Sequence, residues 1–209
     1  MATALIGCEC SAMVRDAFRG IGIDAWSCDL KPCERDPSWH IQGDVIEAMH
    51  SRRWDFIGLH PDCTALTVSG NHKYAAGKSH HAERLAAVEW TVNLWEMAKR
   101  LASFAYLENP RGVLSTLGGM VGYQVIQPYQ FGEDASKATC LWLHGLPLLE
   151  GTEFIEPRIV GGLPRWSNQT DSGQNRLAPS ATRKADRART YPGIAEAFAD
   201  QWGRHLLAA

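Results

Sequence analysis

The chain has 209 residues, 45% of them hydrophobic and 21% charged, and a formal net charge of −2. That length suits one domain, and a near-average composition excludes collagen-like, coiled-coil and disordered classes. No apolar run approaches the ~18 residues of a membrane span, and six cysteines are too few for a disulfide scaffold. With no basic-then-apolar opening stretch, a cytoplasmic protein with no membrane partner is expected.

The elements follow in chain order. Residues 3–8 (TALIGC) read as a buried strand, and 11–20 as a short helix with Ser11 as its N-cap and Gly20 as its end. Residues 23–29 read as a second strand, 42–45 as a brief third, and 54–60 as a fourth that stops at Pro61. The strongest helical pattern is 80–101, with Leu85, Val88, Val92, Trp95 and Ala98 on one face. Residues 104–108 form the next strand, and 125–131 and 139–144 a closing pair near a sheet edge. An amphipathic helix over 193–207, through Ile194, Phe198 and Trp202, ends the pattern. Strands alternating with helices predict a mostly parallel α/β sheet with helices on both faces.

Charge is unevenly spread. Residues 158–189 carry seven Lys/Arg against Asp171 and Asp186, so this Gly- and Pro-bearing stretch is positive and the remainder negative. It reads either as a polyanion-binding surface or as a solvated loop. A single domain over 1–209 is expected, with a basic, loop-rich insertion at about 146–190 before the last helix.

In parallel α/β sheets, ligands sit at the carboxyl ends of the strands. Those ends hold Gly7, Glu9 and Ser11; Asp29; Asp44; Pro61 to Cys63; and Glu108 to Pro110. Asp29 stands where nucleotide-binding folds place an acid on a ribose hydroxyl, and Asp44 stands where it can hold an adenine amino group. Both acids also suit capping or turn formation. The first turn lacks the three glycines of a G-x-G-x-x-G loop, which favours an adenosyl amino acid over a pyrophosphate cofactor. Cys63, just after Pro61 and Asp62, is placed to act as a nucleophile, although most cysteines are buried fillers. Glu108 closes the following strand, and a thiol beside a carboxyl group suits addition across a ring double bond. Neither Cys8-x-Cys10 nor Cys28-x4-Cys33 has zinc spacing and no His pair is spaced as ligands, so no metal is expected.

This order of motifs resembles the catalytic domain of C5-cytosine DNA methyltransferases. The match runs through the acid-ended second strand, Gly43-Asp44-Val45, Pro61-Asp62-Cys63 and Leu107-Glu108-Asn109-Pro110. With the stretch from Gln127 to Thr139, it is especially similar to short, phage-type members that lack a full target-recognition domain. The resemblance implies a Rossmann-like fold dependent on S-adenosyl-L-methionine (SAM). It also implies low sequence specificity, and host-cell cytoplasm if the chain is phage-encoded. It casts Cys63 as the attacker of cytosine C6 and Glu108 as the contact to N3. Gly7, Glu9, Ser11, Asp29, Asp44 and Pro61 would line the cofactor, and Asn109, Lys137, Arg176, Arg183 and Lys184 would face the substrate. The DNA partner would present a flipped cytosine, the final helix would pack beside the first strand, and a homodimer clasping DNA is left open.

The chain departs from the family at the Phe-x-Gly-x-Gly loop, here Cys8-Glu9-Cys10-Ser11-Ala12, and at the second proline, here Asp62. Two alternatives follow. One is a related thiol-addition enzyme acting on a pyrimidine in a free nucleotide or RNA; the other is a catalytically degenerate DNA-binding decoy.

Overall fold

The computed structural model describes residues 1–177 and 188–208; Arg183 and Lys184 lie outside the described residues. A seven-stranded sheet organises the chain. In sequence order its strands are β1 (Thr3–Gly7), β2 (Asp24–Asp29), β3 (His40–Gln42), β4 (Phe56–Leu59), β5 (Phe104–Pro110), β6 (Gln124–Ile126) and β7 (Thr139–His144). Their spatial order is β3-β2-β1-β4-β5-β7-β6, with β7 antiparallel to both its neighbours and the other pairings parallel. This is a Rossmann-like, mostly parallel α/β arrangement. The strand order reverses between β1 and β4, and the crevice at that switch point is where such sheets bind ligands.

Helices cover both faces. Helices α2 (Val45–His50) and α4 (His81–Leu101), the latter preceded in the chain by the one-turn α3 (Asn71–Tyr74), lie over one face, on a core of Leu5, Ile57, Leu107 and Trp142. Helix α1 (Met13–Gly20) and the C-terminal helix lie over the other, on Ala4, Ile6, Phe56 and Tyr106. The C-terminal helix is α-helical over Pro192–Ala197 (α5), π-helical over Phe198–Gly203 and α-helical again over Arg204–Ala208 (α6). Ile194, Phe198 and Trp202 are buried as their spacing predicts. The helix leans on α1 and reaches beyond β1 to β5: Phe198 and Trp202 sit 4.8 and 5.3 Å from the Tyr106 ring.

Several boundaries differ from expectation. The brief third strand covers 40–42 instead of 42–45, because the Asp44 carboxylate takes the Ile46 N–H (2.6 Å) and starts α2. Strand β6 spans only three residues; Pro128 then opens a 3-10 turn, since its ring leaves no N–H for a ladder. On α4, Leu85 is exposed while Arg84 and Thr91 are buried, so the inner face is rotated from the apolar stripe. Arg84 is buried because three acceptors from residues 65–71 surround it. Between β7 and the last helix stands a small hairpin, β8 (Arg158–Val160) with β9 (Leu163–Arg165). No helix of the described residues is long and apolar enough to cross a membrane.

Candidate active site

Tyr106 and Glu108 alternate with Leu107 and Asn109 along β5, so the first pair shares one face of the sheet and the second pair the other. Gly58 on the neighbouring strand makes room: a Cβ there would collide with the Tyr106 ring. Tyr106 is fully buried, and its hydroxyl lies 2.6 Å from His60 Nε2. His60 Nδ1 lies 3.3 Å from Glu108 Oε2. An ionised carboxylate only accepts, so Nδ1 carries the proton given to Glu108, while Nε2 and the Tyr106 hydroxyl share the second hydrogen bond. Burial pushes the Glu108 carboxyl up, but the His60 hydrogen bond and the positive charges of Lys137 and His60 outweigh it, holding its pKa below the ordinary value.

Cys63 sits on the loop that follows β4. The Leu66 and Thr67 N–H groups both donate to the Cys63 carbonyl at 3.0 Å, turning the chain tightly behind the thiol. Asn109 Nδ2 donates to the Pro61 carbonyl at 3.0 Å and pins the front of the loop to β5. Arg84 holds the rear, donating to the carbonyls of Ala65 (2.6 Å) and Thr67 (3.0 Å) and to Asn71 Oδ1 (2.7 Å). Burial, then the carboxylates of Glu108 and Asp62, push the Cys63 thiol up; Lys137 pulls the other way with less effect. Cys63, Glu108 and Lys137 thus share one electrostatic neighbourhood, contributed by three separate segments. At rest Cys63 is therefore a thiol, not a thiolate.

Glu108, Lys137, Thr139, Thr190, Tyr191, Ile194 and Phe198 enclose a cavity of about 10 Å³. That is room for about one water. The residues before α5 form its lid: Arg189 Nε donates to Glu34 (2.8 Å), and the Arg189 carbonyl accepts from Lys137 Nζ (3.5 Å).

At the other end of the switch point, three expected cofactor contacts face inward. A Cβ on Gly7 would strike Val45 and Leu59, so this glycine serves close strand–helix packing. Glu9 is buried, and its carboxylate accepts the Val14 N–H (2.8 Å), the Arg15 N–H (3.4 Å) and the Ser11 hydroxyl (3.2 Å). Glu9 therefore provides the main cap of α1, while Ser11, the expected N-cap, donates its hydroxyl to Glu9 and accepts the Met13 N–H at 3.5 Å. The switch is possible because Cys8 and Ala12 both adopt left-handed backbone (φ 60° and 59°), which folds the loop back over the helix start. Asp29 and Asp44 remain at the strand ends, each with one oxygen on a local N–H, of Lys31 and Ile46. Burial, then Asp29, Cys28, Asp44 and Asp62, push the Cys8 thiol up to about 12, so these acids converge on one rim around Cys8.

Among the described residues of the basic stretch, three arginines are engaged locally. Arg158 pairs with Asp171, while Arg165 and Arg176 donate to the carbonyls of Asp171 and Gln169. Among the described residues, no group of three or more His, Cys, Asp or Glu side chains is placed to hold a metal ion.

His60, Tyr106 and Arg84 were not singled out from the sequence as site residues. His60 carries a signal in hindsight, standing three residues before Cys63 at a strand end; Tyr106 and Arg84 carry none, because their partners come from distant segments.

No family model matches the sequence, and no curated protein matches it. Among solved structures, one similar chain is described as a DNA modification methyltransferase encoded within a prophage (E. coli). It has a TM-score of 0.48 and 10% identity, covering 74% of this chain and 52% of that one. A mutant of DNMT2 from Spodoptera frugiperda is similar with a TM-score of 0.41 and 12% identity, covering 79% of this chain and 57% of that one. The chain thus spans little more than half the length of these structures.

Proposed function

We propose that this chain is a DNA methyltransferase that transfers a methyl group from SAM to C5 of cytosine through a covalent Cys63 adduct, with low sequence specificity. One observation carries the reading: Cys63, Glu108 and Lys137 gather at the carboxyl edge of the sheet, beside a rim bearing Asp29 and Asp44. Two carboxylates at the ends of β2 and β3 fit the ribose hydroxyls and the adenine amino group of SAM, whereas Gly7, Glu9 and Ser11 are committed to packing and capping. SAM, when bound, supplies the electrophilic methyl group.

This chain's residues do the rest. Cys63 gives up its proton to solvent, and the thiolate adds through sulfur to C6 of the ring, making C5 nucleophilic. The ionised Glu108 accepts from the exocyclic amine beside N3, with His60 fixing its rotamer and charge, and Lys137 offsets negative charge that develops on the base. After C5 is alkylated, its proton leaves to solvent or a nearby base, the C6–S bond breaks and the thiolate is restored. A cytosine needs far more room than about 10 Å³, so Thr190 and Tyr191 move aside as the flipped base enters.

Incubation with methyl-labelled SAM and cytosine-containing duplex DNA tests the reading. The expected product is 5-methylcytosine, absent with Cys63→Ala, together with a denaturant-stable complex on 5-fluorocytosine DNA. Label in RNA or a mononucleotide alone would select the related thiol-addition enzyme. DNA binding without transfer, unchanged by Cys63→Ala, would select the decoy.

A further inference from the structure

A second cavity lies on the opposite face of the same strands. Its volume is about 350 Å³, within the usual range for small-ligand sites, and its walls include Val68, Arg111, Ser115, Tyr123, Cys140 and Trp142. The pairing register fixes where it stands. Glu108 faces Leu141 across β5 and β7, and the next pair is Asn109 with Cys140, whose side chains lie on the other face. The cavity is therefore one strand thickness from Glu108. It abuts the Cys63 loop, because Thr67 bridges to Gly112 and Val113 N donates to the Leu66 carbonyl at 2.9 Å.

Its walls combine a cation with a fixed aromatic face. Arg111 follows Glu108-Asn109-Pro110 directly and is exposed. Its charge is felt at the Cys140 thiol, which burial nonetheless pushes up to about 11. The Trp142 indole N–H donates to the Met120 carbonyl (3.0 Å), and the Tyr123 ring rests against the indole at 5.1 Å between centroids. Tyr123 is thereby braced while 38% of its surface stays open to solvent. A braced ring beside an exposed guanidinium matches a base and its phosphate, the pairing that single-strand binding sites use.

We propose that this cavity binds one nucleoside monophosphate unit, with the base stacked on Tyr123 and the phosphate on Arg111. It rests on the methyltransferase reading for one point only: in a DNA strand crossing the β5–β7 edge, this unit would be a neighbour of the cytosine entering at Glu108. Base stacking here would then hold the strand next to the cytosine that enters the site.

The test uses the full chain without SAM. Fluorescence anisotropy would follow a labelled 12-nucleotide single-stranded DNA, dTMP would serve as competitor, and a bromodeoxyuridine version of the oligonucleotide would be photocrosslinked and mapped by mass spectrometry. Arg111→Gln and Tyr123→Leu should each weaken binding about tenfold, and the crosslink should fall on the peptide carrying Tyr123. Competition by dTMP at concentrations near the oligonucleotide's own Kd identifies a free nucleotide as the ligand; competition only by strands identifies nucleic acid. Binding unchanged within twofold in both variants, with crosslinks elsewhere, overturns the proposal. Because no SAM is involved, loss of binding in these variants stands even if no methyl transfer is found. Methyl transfer with unaltered KM in both variants would instead leave the activity intact and remove this site.

Discussion

His60 does two things at once in this structure, ordering Tyr106 on one side and Glu108 on the other. A carboxylate this sheltered ordinarily titrates high, yet the His60 and Lys137 charges hold Glu108 low. With a depressed folded pKa, the pair contributes stability that is present above the ordinary carboxylate pKa. That contribution is lost as pH falls through the lower folded value. His60→Gln keeps a donor of similar reach but removes the charge. We expect it to raise the Glu108 pKa and move the acid limb of the single-turnover pH–rate profile to higher pH. An unmoved limb would show that His60 does not set the charge of Glu108. Cys63 has the opposite sense: its thiol is held up, so wild-type rate should climb with pH as the thiolate fraction grows.

At the scale of elements, the β1–α1 connection shows how one carboxylate replaces a glycine-rich turn. Glu9 satisfies the first N–H groups of α1 from inside the fold, and burial is the largest influence on it, raising its pKa despite His60 and the helix N–H groups. A carboxyl whose folded pKa lies above its unfolded value contributes most below the unfolded value, and loses that contribution as pH rises through the folded one. Glu9→Gln keeps the acceptor without the charge and should flatten this part of the stability–pH curve in urea unfolding. Glu9→Ala removes the acceptor and should cost about 1–2 kcal/mol at neutral pH. Equal effects of the two variants would mean that the cap is not the reason for the burial. Arg84 works in the same way on the Cys63 loop: the neighbouring Val88, Trp95 and Ala98 fit a regular apolar stripe, but the inward turn of Arg84 was not legible from periodicity.

For the whole molecule, the C-terminal helix is the piece that joins distant ends of the chain into one site. Trp202 is fully buried, stacks on Phe198 (4.4 Å), lies against Tyr106 and donates its indole N–H to the Pro147 carbonyl (2.9 Å). Trp202→Ala should lower unfolding stability by about 3–5 kcal/mol, as for other large-to-small core changes. Urea midpoints measure that loss, and a change below ~1 kcal/mol would place the helix outside the cooperative core. The same helix carries Ile194 and Phe198 into the wall beside Glu108 and Lys137, so its packing also shapes the entrance.

Local chemistry determined much of this in advance. Alternating apolar runs announced a helix-covered α/β sheet, the strand ends marked Cys63, Glu108, Asp29 and Asp44, and the spacing of Ile194, Phe198 and Trp202 marked a buried helical face. Those features repeat at short range or sit beside turn residues, so the chain displays them locally. Only the tertiary structure decided that Glu9 caps a helix, that Arg84 faces inward, that His60 links Tyr106 to Glu108, and that Arg158, Arg165 and Arg176 are partly occupied within their own loop. Each of these depends on which buried acceptor or charge lies within about 3 Å. Whether a polar side chain turns inward is set by partners from other segments, and no local pattern in the chain encodes them.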